Sequence, residues 1–527
     1  MKTIITLLSA LFMSLLSQAQ ETTFTWVVTP EFELSFNPDM VGYVNAIDNS
    51  GNIYMAGFMN NGTPCSPEIM GNLLYNKYDT EGEVVFSKIF NVTGAIFNLK
   101  IDTDDNTLMA VGFQDNITIN NTTITAPIPF QTKLLLIKLD SNGELLWYYE
   151  PVMENAEEWD VVTDFRGVTT DSNNNIYIAY DNFFNSFITK LTPEGDELFT
   201  ITQNNVNRIT SVSVDPSGNI YAAGSCATIN ATYAGVAVPP TGENFNYNTY
   251  VVKYNNTGEY QWLKYVEDIT CPAPQVVAYS DDEIYFSSYL FDSLMFDDIT
   301  TDGGNAFVDF FLAKLNAQGT YQWVREVPGT IGNAELGNRN YLNTDNEGNI
   351  YITGKTRWET DWGNGVITNT DGFSSDALIL KYTPQGNLTL VKTINGSGES
   401  RVDNIAVSES GDIFVTGISN GTTLFDNIEY EFDEFTNFSY MAKLSTNSLG
   451  VEQNNITGVA IYPNPSANYI HINGIQENSK GSIYNTLGQK VKDFEIQPNE
   501  SIDISDLSKG TYIIKPEGYS SIKFIKI

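Results

Sequence analysis

Acid–base and nucleophilic chemistry at neutral pH usually recruit histidine, and this chain of 527 residues has a single one, His471. It stands in the alternating string Tyr469-Ile470-His471-Ile472, where a strand position makes it a structural residue. The long segment before it therefore cannot host a Ser-His-Asp triad, a Cys-His pair or a His-ligated transition metal. No Gly-rich loop of the kind that cradles phosphate occurs. No catalytic residue, metal or cofactor is assigned. Carboxylates could do acid–base work, but among 64 Asp and Glu the finding of a pair carries no information. The strings Asp102-Thr103-Asp104-Asp105-Asn106 and Asp345-Asn346-Glu347-Gly348-Asn349 have the oxygen-rich look of calcium loops. Both occupy hairpin turns and lack the distal ligating Glu, so side-chain turn chemistry is the expectation.

Aromatic side chains beside Asp and Asn are the other candidates, because such mixtures stack on sugar rings and hydrogen-bond their hydroxyls. Tyr233, Phe245, Tyr247, Trp358, Trp362 and Phe435 lie in long connections, which span 58–72, 113–132, 225–248, 289–308, 355–375 and 418–438. A competing expectation is that each insertion contains its own hairpin, as Ser293-Leu294-Met295-Phe296-Asp297 suggests, with the aromatics as its small core. Cys226 and Cys271 fall near one another in this arrangement and could form a disulfide, leaving Cys65 free.

The elements that must position these residues are repeats. One phrase is GNIYMAG (51–57), NNIYIAY (174–180), GNIYAAG (218–224), DEIYFSS (282–288), GNIYITG (348–354) and GDIFVTG (411–417), with DNTLMAVG (105–112) as a weaker copy. A second phrase alternates with it, as in IKLDSNG (137–143), TKLTPEG (189–195) and LKYTPQG (380–386). Each phrase occurs seven times and reads as a hairpin: Asp or Ser opens the turn and Gly takes positive φ. Two hairpins give four strands per repeat. Strands such as Leu134-Leu135-Leu136-Ile137 are apolar on both faces, which requires cover on both sides. A ring of stacked four-stranded blades follows. Trp147, Trp262 and Trp323, four residues after turn glycines, are expected to pack on the outer strand. The seventh repeat lacks a good fourth strand, while Phe24-Thr25-Trp26-Val27-Val28 is an orphan resembling one. The N-terminal strand is therefore expected to complete the last blade and remove an exposed edge.

The net charge of −37 lies entirely before Ile456, since the remainder balances seven Lys against seven acids. A surface so acidic repels phosphate backbones and anionic lipid, so nucleic acid and membranes are not expected partners. Residues 1–19 read as a secretory leader: Lys2, an apolar run from Ile4 to Leu16, and small residues before cleavage after Ala19. No transmembrane segment is expected in the mature chain.

The phrases GNIY.AG and K-[LY]-D-x-x-G-x-x-x-W resemble the β-propeller repeats of exported Bacteroidetes proteins, over roughly residues 21–450. The Trp phrase is also similar to the docking motif of quinoprotein propellers and, less well, to the Asp-box of sialidases; neither activity is carried over, because the accompanying motifs are missing. Near the C-terminus, Tyr462-Pro463-Asn464-Pro465, Leu487-Gly488-Gln489-Lys490-Val491, Asp506-Leu507-Ser508-Lys509-Gly510-Thr511-Tyr512 and Lys523-Phe524-Ile525-Lys526-Ile527 closely resemble the type A sorting domain of type IX secretion. That resemblance implies a β-sandwich recognised by the secretion machinery and removed after translocation through the periplasm, leaving the cargo secreted or on the outer cell surface. The expected architecture is all-β: leader 1–19, a seven-bladed propeller over 20–446, a linker over 447–458 and a sandwich over 459–527. The expected function is a non-enzymatic glycan- or protein-binding module. The alternatives are a carboxylate-dependent enzyme acting on polysaccharide and a purely structural surface protein.

Overall fold

Short runs of β-branched and aromatic residues broken by Gly, Asn and Asp satisfy their backbone groups by laddering to neighbours. In the computed structural model every regular element among the described residues is a strand. The structure describes residues 22–29, 44–60, 71–126, 132–151, 164–182, 184–241, 247–267, 269, 273–303, 308–328, 332–370, 374–432, 437–446, 460–473, 478–485, 489–498, 500–516 and 522–527. Contacts divide the chain into one unit within 21–446 and another that includes 447–527.

In the larger unit the ladders form four-stranded antiparallel blades, seven among the described residues. Blade one is Val44–Ile47, Ile53–Asn60, Gly71–Tyr78 and the first part of Val84–Ile101; blade two is the rest of that strand with Thr107–Gln114, Lys133–Leu139 and Leu145–Tyr149. Blade three is Asp164–Thr170, Ile176–Asp181, Ser186–Leu191 and the start of Glu197–Val214; blade four is the rest of that strand with Ile220–Tyr233, Asn248–Tyr254 and Tyr260–Glu267. Two inter-blade links are thus continuous strands. Blade five is Gln275–Ser280, Glu283–Leu290, Asp309–Leu315 and Tyr321–Arg325. Blade six is Asn333–Leu336 with Leu342–Thr344, then Ile350–Arg357, Asp376–Tyr382 and Leu388–Gly396. Blade seven joins Ser400–Val407, Ile413–Ser419 and Phe438–Thr446 to the N-terminal strand Thr22–Val28, in a register that sets Thr22 against Thr446 and Val28 against Met441.

The innermost strands close a circuit: 44–47 lies against 84–101, then 164–170, 197–214, 275–280, 342–344, 400–407 and 44–47 again. The core consists of the apolar seams between successive blades, which is why Leu134–Leu139 is buried on both faces. This is a β-propeller, and its blades leave one turn-bearing face and one face of insertions.

The repeated phrases have a common physical cause. The Asp48 carboxylate accepts the N–H groups of Ser50 and Asn52, the Asn52 amide and the Tyr54 hydroxyl, and pairs with Lys77 at 3.1 Å. Asp171, Asp215 and Asp345 repeat the bonds to the Asn four residues on and the Tyr six residues on. Asp, Asn and Tyr thus lock the first turn of a blade to its second strand. The glycine ending the phrase serves close approach: a Cβ on Gly417 would stand 1.9 Å from the Arg401 carbonyl oxygen, and one on Gly354 1.8 Å from that of Glu335.

The indoles correct one expectation. They do not stay on their own outer strand but reach the second turn of the next blade. Trp147 donates to the Pro193 carbonyl (3.2 Å), Trp262 to Ala317 (2.9 Å), Trp323 to Pro384 (3.2 Å) and Trp26 to Thr80 (3.1 Å). Their rings press on Gly195, Gly319, Gly386 and Gly82, where an added Cβ would stand only 2.7–3.1 Å from the indole. Trp26 therefore ties the last blade to the first.

The C-terminal unit packs a three-stranded sheet (Ala460–Tyr462, Tyr469–Asn473, Ser501–Asp503) and a four-stranded sheet (Lys490–Ile496, Ser479–Asn485, Gly510–Pro516, Ile522–Lys526) around Ile470, Ile483, Ile502, Ile514 and Phe524. His471 is a ladder residue stacked on Tyr462 at 5.2 Å. Among the described residues no helix is long and apolar enough to cross a membrane.

Candidate functional site

Five insertions on the loop-bearing face fold as small hairpins among the described residues: Asn116–Ile119 with Thr122–Thr125, the end of Ile220–Tyr233 with Val236–Ala237, Met295–Phe296 with Ile299–Thr300, Thr360–Asp361 with Ile367–Thr368, and Thr422–Phe425 with Ile428–Glu431; most of the insertion at 58–72 lies outside the described residues. This splits the candidate aromatics. Tyr233 is fully buried, its ring edge-on to Tyr250 at 5.4 Å and its hydroxyl 3.0 Å from that of Tyr265. Burial pushes that hydroxyl well above its ordinary pKa. Trp362 is 2% exposed, its indole donating to Thr368 Oγ1 at 2.9 Å. Both anchor their hairpins to the apolar core of the blades. Tyr247 and Trp358 face water, at 47% and 41% exposure. Phe245 and Phe435 lie outside the described residues.

Trp358 is held outward by its backbone. Its φ is 58°, a region that bulky residues avoid. Thr370 clamps it there: the Trp358 N–H donates to Thr370 Oγ1 at 2.6 Å, and the Thr370 N–H to the Trp358 carbonyl at 3.3 Å. Phe291, Met295 and Ile367 extend the exposed apolar surface of neighbouring insertions. Cys226, with φ 59°, is disulfide-bonded. Cys271, the expected partner, and Cys65 lie outside the described residues.

At the calcium-like turns the oxygens are taken by donors. Asp102 accepts the N–H groups of Asp104 and Asn106 and pairs with Lys138 at 2.9 Å. Asp345 is partly buried, which alone would raise its pKa, but bonds from Asn349 and Tyr351 and the Lys381 charge leave it below the ordinary value. Among the described residues no group of three or more His, Cys, Asp or Glu is placed to hold a metal.

A second concavity is the propeller's central channel, about 360 Å³, lined by all of the innermost strands. It is crossed by a reciprocal amide pair from blade two to blade six: Asn340 Nδ2 donates to Asn98 Oδ1 at 2.9 Å, and Asn98 Nδ2 to Asn340 Oδ1 at 3.4 Å. Asn98 Nδ2 also meets the Arg166 carbonyl, and Asn404 pairs with Asn45 at 2.7 Å. Its described lining includes Lys100 and Arg166 but no Asp or Glu. Sequence reasoning did not find this site; the signal was there in Lys100, where the matching position of other inner strands holds Ala, Thr, Ser or Asn.

Residues 460–527 match the family described as the secretion system C-terminal sorting domain. That domain marks the chain for export by the type IX route to the cell surface or beyond. An uncharacterized WD repeat-containing protein of Acanthamoeba polyphaga mimivirus is 24% identical over 400 residues, 58% of this chain; the match spans 28% of that relative's length. Among solved structures, a catalytically inactive virginiamycin B lyase from Staphylococcus aureus with quinupristin is similar at 10% identity, covering 79% of this chain and 99% of its own, with a TM-score of 0.40. The WD40 domain of Neurospora crassa Pan2 is similar at 10% identity, covering 82% and 97%, with a TM-score of 0.40.

Proposed function

We propose that the propeller is a non-enzymatic binding module that takes glycan or protein through its loop-bearing face. The layout proposed with it is a leader over 1–19, the propeller over 20–446, a linker over 447–458 and the sorting domain over 459–527. The observation that carries the reading is Trp358: a large indole held in water by a left-handed backbone and two bonds to Thr370. Strain kept at an exposed aromatic is characteristic of recognition surfaces. Tyr247, on the insertion of blade four, offers a second stacking surface on the same face. The alternative of polysaccharide hydrolysis needs two acids converging on a pocket, and the channel lining offers none among its described residues. The test is a glycan array probed with the mature protein, followed by Trp358→Ala and Tyr247→Ala. Each substitution is expected to weaken binding by about tenfold with an unchanged melting temperature. Silence on every sugar rejects the glycan form of the proposal, and full binding by both variants rejects the assigned face.

A further inference from the structure

Lys100 stands on the innermost strand of blade two, two residues nearer the turn-bearing face than Asn98. Asn98 and its partner Asn340 bridge the channel, so Lys100 lies on the turn side of that bridge. Six lysines of the blades, Lys77, Lys138, Lys190, Lys314, Lys381 and Lys443, each lie within 4 Å of a carboxylate, and Lys253 donates to the Ala317 carbonyl at 3.3 Å. Lys100 makes no hydrogen bond or ion pair with any described residue. Its side chain is exposed to the water of the channel, and the protein walls around it lower its pKa by desolvation. Inner-strand positions matching Lys100 carry Ala46, Thr169, Ser213, Asn343 and Ala406, which are small or neutral and leave room for a ligand beside the ammonium. The Ser213 oxygen accepts the Ala278 N–H at 2.9 Å, so its hydroxyl proton is available to donate.

We propose that the central channel, on the turn side of the Asn98–Asn340 bridge, binds a small carboxylate or oxyanion whose negative charge is matched by Lys100. A bound anion supplies both the counter-charge and the hydrogen-bond acceptors that this ammonium lacks among the described residues. The sign is specific. In a chain with a net charge of −37, the described channel lining contains two basic side chains and no acidic one. The turn-side part of a channel of about 360 Å³ in all suits a ligand of monosaccharide-acid size or smaller. Long-range repulsion from the acidic surface is screened within about 8 Å at physiological salt, so it slows entry more than it opposes binding. The site lies on the turn side of the bridge and is separate from the aromatic face.

The experiment is thermal unfolding of the mature full chain titrated with acetate, glucuronate, sulfate or phosphate, with ionic strength fixed by sodium chloride. A parallel measurement follows acetylation of the Lys100 Nζ by peptide mass mapping. At least one anion is expected to raise the melting temperature saturably and to protect Lys100 from acetylation. Lys100→Met is expected to weaken that response about tenfold or more, and Lys100→Arg to retain most of it. Preference for acetate and glucuronate identifies an organic carboxylate; preference for sulfate or phosphate identifies an inorganic oxyanion. An equal response in wild type and Lys100→Met overturns the proposal, as does the absence of both saturable stabilisation and protection. Protection is read on the wild-type chain, so the test holds even if a variant folds poorly.

Discussion

Asp309 begins the third strand of blade five and is 1% exposed. Its Oδ1 accepts the N–H groups of Phe310 (2.6 Å) and Val327 (3.3 Å), while its Oδ2 is buried with no hydrogen bond from a described residue. Burial, with a smaller push from Glu326, raises its pKa from 3.8 to about 7 against those two N–H bonds. The folded chain thus holds this proton over a pH interval in which the unfolded chain releases it. The stabilisation due to that proton is complete below about pH 3.8 and is lost as pH rises through about 7. Asp309→Asn keeps an acceptor for both N–H groups and removes the charge. It is expected to change stability little at pH 4 and to raise the melting temperature increasingly from pH 5 to pH 8, relative to wild type. A difference that does not vary with pH would show that Asp309 ionises normally in the fold.

At the scale of elements, the N-terminal strand has two attachments. It ladders to Phe438–Thr446, burying Phe24 and Val27 in the seam between blades six and seven, with the Phe24 ring edge-on to Phe425 at 5.5 Å. It also sends Trp26 onto Gly82 and Thr80 of blade one. A propeller otherwise ends in a blade with an open edge, and an open edge invites pairing with other chains. Trp26→Ala removes a half-buried indole and its hydrogen bond and is expected to cost about 2 kcal/mol, measured from the denaturant midpoint. Deletion of residues 20–30 should cost more and promote association through the freed edge. An unchanged midpoint in both variants would mean that the ring does not depend on this closure. Trp147, Trp262 and Trp323 perform the corresponding docking inside the ring, so the same substitution there gives an internal comparison.

At the scale of the molecule, the chain combines an acidic propeller with a charge-balanced C-terminal unit whose core is largely isoleucine. The two parts answer different demands, since the propeller must remain soluble outside the cell while the sorting domain must be read by the secretion machinery. Removing residues 460–527 is expected to abolish surface delivery and leave the propeller folded in the periplasm, as judged by cell fractionation and surface proteolysis. Appearance of the truncated chain outside the cell at the wild-type level would show that export does not use this domain.

The paired hairpins and the sorting domain were legible in the sequence because each depends on local rules, and the N-terminal strand in blade seven was legible because a count of strands left one orphan and one open edge. Asp and Gly fix a turn within five residues, two-sided apolarity demands cover, and the sorting motifs are contiguous strings. The destination of the indoles was not legible, since a Trp on one blade meets a Gly roughly fifty residues later only once the blades stack. The same holds for the aromatics: composition could not separate Tyr233 and Trp362, which pack into the blade cores, from Tyr247 and Trp358, which face water. The channel was the least visible feature, because Asn98 and Asn340 are far apart in the chain and meet only when the ring closes. Local turn chemistry and hydrophobic patterning are encoded residue by residue, so the sequence alone determined the blades and their export signal. Which side chains share a cavity is set by long-range closure, and only the tertiary structure decided that.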